Sequence, residues 1–127
     1  MLIKDLLKKP NGSMIEYAVV NGNAVSIKNA RISINRNHRN FIYLYPHDKL
    51  GRSITPSYIP IDIDRHGDNS YYKYCVGYWK TKSVRLYVSK EDAYNYVIEK
   101  LRRKRQEINK KMLKIQMEAF GKRVKNV

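Results

Sequence analysis

Three groups of residues in this chain have types and spacing that support chemistry. Asp62, Asp64, His66 and Asp68 recur at every second position. On a strand and its turn, that spacing lines up oxygen and imidazole ligands that suit Mg²⁺ or Mn²⁺ in a metal-dependent nuclease. The same pattern also describes an exposed strand whose acids relieve a basic surface, and this is the preferred reading. His38 sits in a loop with Arg36 and Arg39. There it suits a base and phosphate clamp for RNA cleavage, or a plain phosphate contact, which is the commoner use. Cys75 is the single cysteine. One cysteine excludes an internal disulfide and a cysteine zinc cluster, and its mid-strand setting predicts a buried, inert thiol. No GxGxxG, Walker loop or HExxH occurs. The expectation is a protein that is not an enzyme, with no cofactor and no metal.

Charge is the strongest signal. The 127 residues carry 26 Lys+Arg against 11 Asp+Glu, a net charge of +15. A field of that size selects polyanions: nucleic acid first, an acidic protein second and an anionic membrane surface third. Eleven of the basic residues and only two acids fall between Lys100 and Val127. No run of 18 apolar residues is present, so no membrane span is expected. The first ten residues are too short and charged for a signal peptide. A cytoplasmic location is therefore the expectation, host cytoplasm if the protein is phage-encoded.

These residues need elements to position them. Ile3, Leu6 and Leu7 have helical spacing before Pro10-Asn11-Gly12 stops the segment. Ile15, Tyr17 and Val19 alternate with Glu16 and Ala18, as in a half-buried strand. Asn21-Gly22 signals a hairpin, and a parity switch near Lys28-Asn29 suggests a bulge in the return strand. Further strands are expected at 41–45, 58–64, 71–79 and 84–88. Ser89 and Asp92 have capping-box spacing at the start of a long helix reaching about Phe120.

The class is therefore α+β. It comprises a compact antiparallel β domain of about six or seven strands, a small barrel that is SH3-like or OB-like, with a short N-terminal helix and a long basic C-terminal helix. Residues 1–88 form the β domain, 89–121 the helix, belonging to that domain or projecting from it, and 122–127 a basic tail.

The junction Ser83-Val84-Arg85-Leu86-Tyr87-Val88-Ser89-Lys90-Glu91-Asp92-Ala93 resembles the strand-to-helix junction of small bacteriophage accessory proteins, in which an SH3-like β domain ends in a capped helix. The resemblance implies a phage or mobile-element accessory role and brings no catalytic residue with it.

At about 100° per residue the helix acquires faces. Val97, Leu101, Ile108, Met112, Ile115 and Ala119 make one apolar stripe, a core or partner face. Lys100, Arg103, Lys110, Lys111 and Lys114 make a basic stripe nearly opposite. Arg102-Arg103-Lys104-Arg105 crowds one turn, with Glu99 as an i+4 partner for Arg103. Leu113, Met117 and Phe120 form a second apolar set that suits a homodimer interface. On the β domain, Tyr71, Lys73, Cys75 and Trp79 share one strand face, and such a face can stack unpaired bases, although Tyr there also serves simply as a strand former. The expected nucleic-acid contacts are Lys100, Arg102, Arg103, Lys110, Lys111 and Lys114 on the helix, with Arg36, Arg39, Lys73 and Trp79 on the β domain. DNA and RNA are not distinguished. The rival reading is a takeover or anti-defence protein that grips an acidic host protein.

Overall fold

A computed structural model describes residues 1–35, 40–48, 50, 52, 58–76 and 82–120. Six strands form one antiparallel sheet: β1 (Met14–Asn21), β2 (Ala24–Asn35), β3 (Phe41–His47), β4 (Ile59–Asp62), β5 (Tyr71–Val76) and β6 (Lys82–Tyr87). A short helix α1 (Ile63–His66) joins β4 to β5, and α2 (Lys90–Phe120) follows β6. The order across the sheet is β4-β3-β2-β1-β6-β5.

That order forces curvature. The edge strands β4 and β5 lie five inter-strand spacings apart, about 24 Å in a flat sheet. Residues 63–70 alone connect them, and four of these are helical and rise only about 6 Å. The sheet therefore curls into a nearly closed barrel. A 3-10 helix (Ile3–Lys8) is tied to the connecting turn: the Ile3 N–H donates to the Asn69 carbonyl at 2.8 Å and the Lys4 N–H to that of Gly67 at 2.9 Å. Ile3 and Leu6 thereby enter a core with Ile15, Tyr17, Val19, Ile32, Ile42, Leu44, Ile61 and Leu86.

The β1–β2 register is continuous from Met14↔Arg31 to Asn21↔Ala24, so the expected bulge is absent. The parity switch has another cause. Near the hairpin, Val25 and Ile27 share the outer face with their partners Val20 and Ala18, which are buried outside the barrel core. Further along, Ala30 and Ile32 turn inward. Both faces of the sheet are covered, at different places. The turn itself is Gly22-Asn23, one residue later than the motif suggests. Gly22 has φ +63° while Asn23 does not, the pattern of a type II′ turn.

Tyr17 is 2% exposed. Burial, with a smaller contribution from Tyr74, pushes its hydroxyl from 10.0 to about 12. The folded chain thus keeps a proton that the unfolded chain loses above pH 10, so Tyr17 makes stability fall as pH rises from 10 to 12. The slope approaches about 1.4 kcal/mol per pH unit. Thermal melts at pH 8 and 11 are expected to show a smaller alkaline loss for Tyr17→Phe than for the parent; equal losses would contradict this assignment.

The chain divides after Asn95 into two compact units, residues 90–95 of α2 belonging with the barrel.

Candidate functional site

Helix α2 starts where the expected cap stands, by different bonds. The Ser89 carbonyl accepts from the Ala93 N–H at 3.3 Å, and the Ser89 hydroxyl donates to Glu91 at 2.8 Å. That hydrogen bond holds the Glu91 carboxyl below the usual range. Asp92, the expected capping-box partner, instead pairs with the N-terminal ammonium at 3.1 Å. Both acids suit the positive end of the helix.

From Leu101 to Phe120 every side chain is exposed. This changes the reading of the helix faces. Val97 is buried, but Leu101, Ile108, Met112 and Ile115 are 45%, 56%, 53% and 62% exposed, so the stripe beyond Val97 is no core face. Leu113, Met117 and Phe120 are exposed as well. The helix carries eight basic residues and one acid between Lys100 and Lys114. Lys100 is half-buried with its ammonium 5.4 Å from the centre of the Tyr96 ring. Arg102 takes Glu99 at 2.9 Å, an i,i+3 pair in place of the expected Glu99–Arg103 pair. Arg103, Lys110, Lys111 and Lys114 are exposed and make no ion pair among the described residues.

On the barrel, Arg36, Arg39, His38 and Trp79 lie outside the described residues. Lys73 is exposed on β5 beside its register partner Arg85 on β6. The Arg85 guanidinium sits 4.1 Å above the Tyr71 ring and also donates to the Tyr87 hydroxyl at 3.3 Å. Tyr72 and Tyr74 face the other way and pack against the core, where burial raises both hydroxyl pKa values. Cys75 is exposed, not buried, because its position on β5 places it with Tyr71 and Lys73 on the outer face.

The acid series does not line one strand. Ile63–His66 is helical, which breaks the alternation. Asp62 caps that helix by accepting from the Asp64 N–H, Asp64 accepts from the Asn40 amide at 3.3 Å, and Asp68 pairs with Lys4 at 2.9 Å. The His66 ring packs edge-on against Tyr72 at 5.0 Å. Among the described residues, no three His, Cys, Asp or Glu side chains are grouped to hold a metal. No described helix is long and apolar enough to cross a membrane.

No family model matches the chain, and no curated protein or solved structure matches it.

One surface has no counterpart among the residues that the sequence singles out. Phe41, Tyr43 and Tyr45 alternate along β3 with the buried Ile42 and Leu44, so all three rings lie on the outer face. Tyr58, just ahead of β4, joins them: ring centres are 6.0 Å apart for Phe41–Tyr43, 5.9 Å for Tyr43–Tyr58 and 6.2 Å for Tyr45–Tyr58. The signal was present as an aromatic at every second position of 41–45. Because both parities of that segment are apolar, alternation alone does not reveal which side is exposed.

Proposed function

We propose that this protein binds nucleic acid without turning it over, using the basic face of α2 on the phosphate backbone. The observation that carries the reading is the set Arg103, Lys110, Lys111 and Lys114, exposed on one helix and without ion-pair partners among the described residues. They span about 17 Å of helix axis, a reach of several phosphates of one strand. Most surface cations are solvated and idle. Here like charges are crowded into successive turns, which costs helix stability. A polyanion repays that cost through release of its condensed counterions.

A second reading rests on the exposed apolar residues of the same helix. Leu113, Met117 and Phe120 suit a second copy of the chain, and the Leu101-to-Ile115 stripe beside cations suits an acidic protein, such as a host factor met in the cytoplasm by a phage accessory protein. Gel shift with single-stranded DNA, duplex DNA and RNA separates the readings. Retardation is expected at about 50 mM salt and should fade by about 200 mM. No shift of any probe at the lower salt would leave the protein-partner reading in its place.

A further inference from the structure

We propose that the outer face of β3 and β4 is a stacking platform for unpaired bases, a second contact surface that makes single-stranded nucleic acid the preferred ligand. This deepens the nucleic-acid reading and rests on it, but its residues are separate from the helix. Phe41, Tyr43, Tyr45 and Tyr58 form a continuous group of rings, each within 6.2 Å of a neighbour. Two of them stay open to solvent, Tyr45 at 40% and Tyr58 at 51%. Tyr58 extends the β3–β4 register, in which Leu44 pairs with Ile59, to the position opposite Tyr45. Pro60 is exposed across from Tyr43 and adds flat apolar surface between the rings.

The group is open at Tyr45 and Tyr58 and half-buried at Phe41 and Tyr43. Its rings hold one another in place, so a base arriving on Tyr45 or Tyr58 meets a surface that is already ordered and costs little further entropy. Polar groups flank the apolar centre. Arg31 is the register partner of Tyr45 on β2, and its guanidinium donates to the Gly12 carbonyl at 3.1 Å. A guanidinium beside exposed rings suits bases and phosphate together. A row of this length accommodates about two or three bases. Duplex bases hide their faces in the stack, so the platform adds affinity only for unpaired strands.

The test is fluorescence anisotropy of labelled oligo-dT of about 12 nucleotides against a duplex hairpin, within the site sizes of single-strand binders. The variants are Tyr45→Ala, Tyr58→Ala and Tyr45→Phe. Both alanine variants should bind oligo-dT about tenfold more weakly, while Tyr45→Phe, which keeps the ring, should bind like the parent. Duplex binding should not change in any of them. Circular dichroism melts establish that each variant is folded, as their exposure leads one to expect. Oligo-dT affinity unchanged in both folded alanine variants would overturn the platform while leaving the helix reading intact. A parent that binds neither probe would overturn both.

Discussion

Replacing Arg103, Lys110 and Lys114 together by Gln should weaken duplex binding about a hundredfold at roughly 100 mM salt, and nearly equally for every sequence. The charges act additively on the phosphate backbone. Each phosphate neutralised by a side chain releases about 0.9 of a counterion, so the loss of two or three contacts reduces the slope of log affinity against log salt by about two to three units. The three positions are exposed and unpaired among the described residues, so no packing or ion pair is lost with them. Gln is a good helix former, and relief of repulsion favours the helix. Titrations at four salt concentrations give the slope directly. An unchanged slope and affinity would mean that α2 is not the contact element; attention would then turn to Arg31, Lys73 and Arg85 on the barrel.

Periodicity reports which side chains share a face, and it located the barrel strands, the long helix and its stripes. It does not report whether anything covers a face. Val97 and Leu101 lie within about 40° of each other around α2, yet Val97 is 7% exposed and Leu101 45%. Their spacing along the helix does not separate them. The aromatic row on β3 was hidden for the related reason that Ile42 and Leu44, its alternating partners, are equally apolar. The misread acid series shows the opposite failure. Asp62, Asp64 and His66 look like a strand because the alternation continues through Ile63, but Asp62 has the capping side chain that lets a helical turn begin there. The parity switch at Lys28-Asn29 was real and its cause was not local: Val25 and Ile27 stand beside the buried Val20 and Ala18 of β1 on the outer face, whereas Ala30 and Ile32 face the barrel core.

One pair of substitutions makes the difference between covered and uncovered leucines measurable. Leu44→Asp should abolish the cooperative thermal transition, whereas Leu101→Asp should leave it in place. Leu44 is 0% exposed in the middle of β3 and packs within the barrel core. Truncating such a leucine costs about 2–5 kcal/mol, and a carboxylate left without a partner in that interior adds several more. That loss is comparable with the whole stability of a domain, about 5–15 kcal/mol, so loss of the cooperative transition is the expected outcome. Leu101, at 45% exposure, loses little burial, and a charged surface position on a helix normally moves stability by about 0.5 kcal/mol. Circular dichroism melts of the two variants at equal concentration decide the matter. A large loss of melting temperature in Leu101→Asp would show that the stripe is covered in solution. Sedimentation at two protein concentrations would then say by what: a mass that falls toward the monomer in the variant identifies a second copy of this chain as the cover, and a monomeric parent excludes it.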